Sequence, residues 1–257
     1  MAFDGAAPAA IEFLGVEFSG LDLDRAVDAV SVRATLGGAF SYVATPNVDH
    51  VVSLAEEGAR GVLYDRAWLT LNDSKVLEGL AKRAGLRLPA ATGSDLAQHL
   101  FDTVIDPSEP LTIIGGDKKT IAKLTRRYRL EDVRWFDAPM GLKSQPSAIV
   151  EAAAFAAAQP SRFVFICVGA PQQELVAYAI QQRGDATGVG LCVGAALEFV
   201  AGRKPRAPRV MRAIGLEWLH RLASEPARLW RRYVVEGPKV FSLFAEWRAA
   251  MAAASSA

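Results

Sequence analysis

The sequence is poor in the residues that bind metals or cross-link chains. It has two cysteines and three histidines in 257 residues. Cys167 and Cys192 both lie inside apolar runs, so they read as buried thiols of a reducing cytosol. No Cys/His cluster has zinc-ligand spacing, and His50, His99 and His220 are far apart in the chain. Long apolar runs are missing too. None reaches the roughly 18 uncharged residues of a membrane-spanning helix. The N-terminus, MAFDGAAPAA, carries an acid and lacks the basic and long apolar regions of a secretory signal. The tail, MAAASSA, reads as frayed. There is no G-x-G-x-x-G, no G-x-x-x-x-G-K-[ST] and no nucleophile-elbow serine. Those absences argue against a dinucleotide enzyme, a P-loop NTPase and an elbow hydrolase.

Net charge is nearly absent as well, at +1, but it is unevenly spread. Arg203 to Lys239 holds ten Lys/Arg and three Glu, a local +7, which leaves −6 for the rest. A basic C-terminal segment on a near-neutral body points to an anionic partner for that segment. A near-zero total weakens nucleic acid as that partner.

What is there is an alternating α/β pattern. Apolar residues make up 51% of the chain, enough for one sizeable core or two small domains sharing an interface. "IEFLGVEFSG" alternates like an initial strand or hairpin. A helix follows from Asp22 or Asp24 to Gly37 and Gly38. "FSYVATPN" is a buried strand, "VDHVVSLAEEGARGVLYDRA" is helical and "WLTLND" is strand-like. "SKVLEGLAKRAG" and "GSDLAQHLFDTVI" are helices, the second capped by Ser94 or Asp95. The second half repeats the alternation: "LTIIGG", "VRWFDAP", "RFVFICVG" and "TGVGLCVG" are strands separated by helical segments. Near-continuous apolar strands in βαβα order predict a Rossmann-like parallel sheet sandwiched by helices. From Ala201 the style changes to basic, Trp-bearing amphipathic helices broken by Pro205, Pro208, Pro226 and Pro238. The expected organisation is an α/β body over residues 1–200 and a helical appendage over 201–257.

In open α/β sheets, ligands bind beyond the carboxyl ends of the strands. Thr45-Pro46-Asn47, Asn72-Asp73-Ser74, Gly115-Gly116-Asp117 and Gly169 through Glu174 occupy such ends, and Gly194 closes another. Glycines there let a phosphate or sugar approach the backbone, and helix N-termini favour anions. Each residue also has a plainer use. Thr45, Asn47, Asp73, Ser74 and Asp117 are all N-cap types, and paired glycines make tight turns. Asp22-Leu23-Asp24 resembles a D-x-D metal pair but follows the first strand and reads better as a helix start. The C-terminal stretch interleaves Arg with Trp, Leu, Met and Tyr. It suits a docked helix pair, a nucleic-acid surface, or an interfacial membrane surface with arginines on anionic lipid.

"GLEWLHRLASEPARLWRRY", preceded by "RAPRVMRAI", resembles the C-terminal signature of the WecG/TagA/CpsF glycosyltransferases, glycosyltransferase family 26. "VGAPQQE", "VGLCVGAALEFVAGRKPRAP", "TPNVDHVV" and "TGSDL" are similar to further motifs of that family. The likeness runs from about Ile11 to Trp247. It implies an inverting, metal-independent hexosyltransferase without a cofactor. Such an enzyme moves sugar from a UDP-sugar donor to a polyprenyl-diphosphate-linked saccharide in cell-surface polysaccharide synthesis. It implies a cytoplasmic protein, peripheral on the inner face of the plasma membrane, whose appendage meets anionic lipid. Nucleic acid is not an implied partner, and a homo-oligomer is left open.

The resemblance also assigns roles. Asp73 matches the catalytic base. Its ordinary pKa, near 4, suits proton transfer only if the site desolvates it. Thr45 and Asn47 match the sugar and acceptor end. Gly169, Gln173 and Glu174 match the loop near the donor, and Gly115, Gly116 and Gly194 line nucleotide and diphosphate. Arg212, Arg221, Arg228, Arg231 and Arg232 are the cations for phosphate or membrane. Three positions depart from the family's pattern. Ser74-Lys75 stands where a glycine-rich turn is usual, Ala90-Ala91 stands where an arginine is usual, with Arg83 or Arg87 as spatial substitutes, and Glu198 replaces an aspartate. The departures motivate a second reading, a non-catalytic scaffold that binds a sugar nucleotide or lipid carrier.

Overall fold

The computed structural model describes residues 10–35, 38–58 and 61–255. Most of MAFDGAAPAA and the expected helix end at Gly37 lie outside them.

A short antiparallel hairpin comes first, β1 (Ile11–Phe13) and β2 (Val16–Phe18). Its two-residue turn places Leu14 and Gly15 at φ 55° and 77°, the left-handed region in which glycine meets no Cβ penalty. Helix α1 spans Leu23–Thr35 and leads into β3 (Ser41–Ala44), α2 (Val48–Glu57) and α3 (Gly61–Asp65). The stretch from Val48 to Ala67, expected as one helical segment, is therefore two helices. Next come β4 (Leu69–Thr70), α4 (Lys75–Arg83) and α5 (Gly93–Thr103). Strand β4 is shorter than "WLTLND", because only Leu69 and Thr70 pair with β3.

The second half runs β5 (Leu111–Gly115), α6 (Lys118–Tyr128), β6 (Val133–Phe136), α7 (Pro146–Ala158), β7 (Phe163–Cys167), α8 (Gln172–Arg183), β8 (Val189–Cys192) and α9 (Ala196–Val200). The six strands from β3 onward form one parallel sheet in the order β4-β3-β8-β7-β5-β6. The chain winds outward from β3 to β4 and again from β5 to β6. Every strand therefore ends on the same edge, and the loops there face one another.

Alternation within each strand builds two cores. Val43, Ile113, Phe163, Phe165 and Leu191 join α1, α5, α6 and α9 on one face. Tyr42, Ile114, Val164, Ile166 and Cys192 join α7 and α8 on the other. Burial on both faces explains why these strands read as continuous apolar runs. Both thiols are held well above their usual range by burial first, and by nearby acidic groups second.

From Arg209 the helices are short: α10 (Arg209–Ala213), α11 (Glu217–Ser224), α12 (Pro226–Trp230) and a π-helical turn, Arg231–Glu236. The prolines act as helix starts. Pro208 is the residue before α10, and Pro226 is the first of α12, where a missing N–H is harmless. The last helix, α13 (Lys239–Ser255), returns to the body. Its Val240, Leu243, Phe244 and Trp247 pack with Phe13, Phe18, Val51 and Leu77 in a third cluster. The tail expected to fray is thus helical through Ser255.

Candidate active site

The carboxyl edge of the sheet opens into two cavities that meet. One, of about 590 Å³, is lined by the strand-end loops, including Thr45, Gly115, Gly116, Gly169, Gln173 and Gly194. The other, of about 360 Å³, lies between the starts of α4 and α5 and the C-terminal helices. Its walls include Val76, Ala90, Trp218, Tyr233, Val240 and Phe241. Asn47, Asp49, Asp73, Ser94, Arg221 and Arg232 line both cavities and mark their junction. Both volumes lie in the range of small-molecule sites.

Asp73 stands at that junction, and it does not cap a helix. Ser74 is the cap of α4, its hydroxyl accepting from the N–H groups of Val76 and Leu77 at 3.2 Å each. The segment before it is pinned by backbone bonds. Asp73 N–H donates to the Pro46 carbonyl at 2.9 Å, and Ala91 N–H donates to that of Asn72 at 2.9 Å. The Asp73 carboxyl is left free to turn toward α5, where Oδ1 accepts from Gly93 N–H at 3.2 Å. Thr92 caps α5, in place of the expected Ser94 or Asp95, because its hydroxyl reaches Asp95 N–H at 3.1 Å.

Burial raises the Asp73 carboxyl to about 7. Arg221 pulls it down and Glu217 pushes it up, and bonds from Gly93 N–H and the Asn47 side chain stabilise the charge in part. Desolvation outweighs these. The result is a carboxyl poised to exchange a proton near neutral pH, which is what a general base requires.

Asn47 sets the geometry around it. It caps α2, with Oδ1 accepting from Asp49 N–H and from Arg232, each at 3.1 Å. Its own N–H donates to His50 Nδ1 at 3.0 Å. That bond fixes the proton of the neutral ring on Nε2. Burial first, and Arg232 second, hold the imidazole down at about 3. His50 therefore stays uncharged beside Arg232. Sequence spacing alone could have found this cap, since His50 is three residues past Asn47.

The other expected residues divide by use. Gly115 is at φ 83°, and a Cβ there would come within 2.5 Å of the Val168 side chain. Only glycine lets β5 turn so closely past β7. Thr45 is buried and donates to the Cys192 carbonyl at 2.8 Å. Gln173 accepts from Gly194 N–H at 2.8 Å and donates to Glu174 at 2.8 Å, so it braces the cavity wall. Glu174 is fully buried behind it. Arg221, Arg228 and Arg232 line the larger cavity, and Arg212 lines the smaller. Arg231 lines neither; it is 83% exposed and pairs with Glu236.

Arg83 and Arg87 do not line either cavity, so they do not replace an arginine near Ala91. The cations of the smaller cavity are Lys75, Arg212, Arg221 and Arg232. Two of the unusual segments meet here through Glu78, which pairs with Lys75 at 2.6 Å and accepts from Ala90 N–H at 3.3 Å. Glu198, the third departure, pairs with Lys204 at 2.7 Å on the larger cavity's wall. Sequence reasoning missed Arg206 and Asp95. They belong to motifs that give no sign of their partners, yet they pair at 2.6 Å. No cluster of three metal-ligating side chains occurs among the described residues.

A parallel sheet with a two-part cleft at its carboxyl edge, lined by glycine turns and arginines, sets a carboxyl raised to about 7 at the junction of its two cavities, and this defines the class of α/β protein. The model of the glycosyl transferase WecG/TagA/CpsF family matches residues 11–253. The chain belongs to that family and is a glycosyltransferase of its type.

Proposed function

We propose that the protein is an inverting glycosyltransferase that moves a hexosyl group from a UDP-sugar to a polyprenyl-diphosphate-linked saccharide. The observation that carries this reading is Asp73, raised to about 7 at the junction of the two cavities. The larger cavity takes the donor. Its glycine turns accept a diphosphate against the backbone, and Arg221, Arg228 and Arg232 supply positive charge. The smaller, apolar-walled cavity takes the acceptor sugar.

The reaction is a single displacement. An acceptor hydroxyl attacks the anomeric carbon as Asp73 takes its proton. The bond from that carbon to the UDP oxygen breaks, and the arginines stabilise the charge on the leaving diphosphate. Attack from the face opposite the leaving group inverts the centre. Asn47 holds Asp73 and Arg232 in register.

The lipid part of the acceptor fits the outer surface of the C-terminal helices. Val210, Ile214, Trp230 and Val235 are exposed on these helices, in a segment that also carries Arg228 and Arg231. No helix of the described residues is long and apolar enough to cross a membrane. The pattern supports peripheral contact with anionic lipid, on the inner face of the plasma membrane, with the segment 201–257 as docking element.

The test is transfer from a panel of UDP-sugars to a lipid-diphosphate saccharide. One donor is expected to react, and Asp73→Asn is expected to lose about 10²–10⁴-fold in rate. Full activity of Asp73→Asn would remove the base assignment. Tight UDP binding without turnover on any acceptor would favour the scaffold reading.

A further inference from the structure

The turn Thr92 to Asp95 does more than cap α5. At one end Gly93 N–H donates to the Asp73 carboxyl at 3.2 Å. At the other, Asp95 Oδ1 accepts from Arg206 at 2.6 Å and from Arg212 at 3.1 Å, across more than a hundred residues of chain. Asp95 Oδ2 accepts from the Thr92 hydroxyl at 2.7 Å, which ties both ends of the turn together. Ser94, between them, lines both cavities.

We propose that Asp95 is a positioning residue that clamps the C-terminal segment, through Arg206 and Arg212, onto the turn that holds the base. The clamp deepens the glycosyltransferase reading and rests on it where it concerns Asp73.

Four observations carry it. Arg206 is nearly enclosed, and its Nε and one terminal nitrogen are buried without a hydrogen bond among the described residues. A guanidinium so placed depends on its carboxylate, because an unpaired buried charge is strongly destabilising. The nearest other carboxylate is Glu217, 3.8 Å away. Glu217 is also the acid that pushes Asp73 up. Among the described residues, the helices from Arg209 to Glu236 supply only Leu229 to the buried core, so apolar packing alone does not hold them to α5. Burial pushes Asp95 up, yet its bonds to Arg206 and Thr92 and the charge of Arg212 bring it below its ordinary value.

Opening the clamp therefore has a signed consequence at Asp73. Without Asp95, Arg206 turns to Glu217 and cancels the charge that raises Asp73. The loosened segment also admits water to the junction. Arg221, on the same helix as Glu217, pulls Asp73 down, and its loosening opposes this. Desolvation is the largest cause of the shift, so the entry of water decides and Asp73 moves toward the ordinary carboxylate range.

The test compares the full-length protein with Asp95→Asn and Arg206→Gln. In each variant the acid limb of the kcat/KM profile should fall below pH 7, and kcat should drop about tenfold or more while donor KM changes less. The double variant should add little, since both changes open one contact. Trypsin should cleave between Arg203 and Lys239 at least about fivefold faster than in the parent, because cleavage follows local opening. If Asp95→Asn does not fold, Arg206→Lys, which keeps the charge and loses the fork, takes its place. An active parent whose variants keep both the acid limb and the cleavage rate would overturn the clamp. Faster cleavage in the variants of a parent that transfers no sugar would keep the clamp and remove the base.

Discussion

The sheet and the C-terminal helices are held by different forces. Beneath the sheet, Phe163, Phe165, Ile113 and Leu191 are fully buried, and each face is closed by helices. Between Arg203 and Glu236, the described side chains are nearly all half-buried or exposed, and charge does the holding. Arg206 and Arg212 meet Asp95, Lys204 meets Glu198 and Glu225, and Arg232 meets Asp49 at 3.2 Å. The candidate active site lies where these two regimes touch. A dry sheet gives fixed strand ends, and hence a fixed place for Asp73. The cover is held by partly exposed ion pairs, which contribute little each and weaken with salt, apart from the more enclosed Arg206–Asp95 contact.

The contrast breaks most severely on the sheet side. Phe165 is fully buried, 5.0 Å from the Phe101 ring centroid. Phe165→Ala should cost about 3–5 kcal/mol in denaturant unfolding. No change of comparable size is expected for any single arginine between Arg209 and Glu236.

Asp73→Asn sharpens the contrast from the opposite direction, because it should stabilise the fold while removing the proposed base. The native carboxyl titrates near 7 and the unfolded one near 3.8. Below the unfolded value both states hold the proton and nothing is lost. Between the two values the native state binds more protons, so wild-type stability falls as pH rises; above about 7 the loss is constant. Asparagine mimics the protonated form. Its advantage in melting experiments should therefore grow from pH 4 to 7 and then level, at most roughly 4 kcal/mol. A gap that does not change with pH would contradict the raised carboxyl.

Arg221 gives a smaller, oppositely signed effect at the same junction. It lowers Asp73 by its charge, so Arg221→Gln should move the acid limb of kcat/KM above pH 7. On the acid side the rate should drop about tenfold for each pH unit that the limb moves. A limb that moves down instead would mean that hydration, and not this charge, dominates.

The smallest expected effect belongs to the outer surface. Trp230 is 57% exposed, beside Arg231 and two residues after Arg228. Trp230→Ala should weaken binding to vesicles of anionic lipid about fivefold, and the remaining binding should fall as salt is raised. Binding to neutral vesicles should change less. Equal binding before and after the substitution would leave Trp230 out of the lipid surface.

Much of this contrast is legible in the order of residues. Apolar continuity in "FVFIC" and "LTIIG" marks strands buried on both faces, and the +7 segment marks a different kind of surface. Prolines at 208 and 226 mark helix starts, because a residue without an N–H is tolerated there. The misreadings of the helix caps share one physical cause. Asp73, Ser94 and Asp95 are each suited to capping by type, but Ser74 and Thr92 take those positions. Which of several adjacent hydroxyls and carboxyls caps a helix depends on where the backbone turns, and that turn is set by contacts from distant strands. Burial at Asp73 is likewise invisible in the sequence, since it comes from segments that precede and follow it by up to about 150 residues.

The sequence by itself determined the class of fold and the family, because these follow from local periodicity and from runs of residues read in order. Only the tertiary structure decided that Asp73 is freed from capping and raised to about 7. It alone joined Asp95 to Arg206 and Arg212, and it left Arg231 outside. Desolvation and charge pairing depend on distance in space, and the chain brings those distances into being only when the sheet's carboxyl edge and the C-terminal helices close on each other.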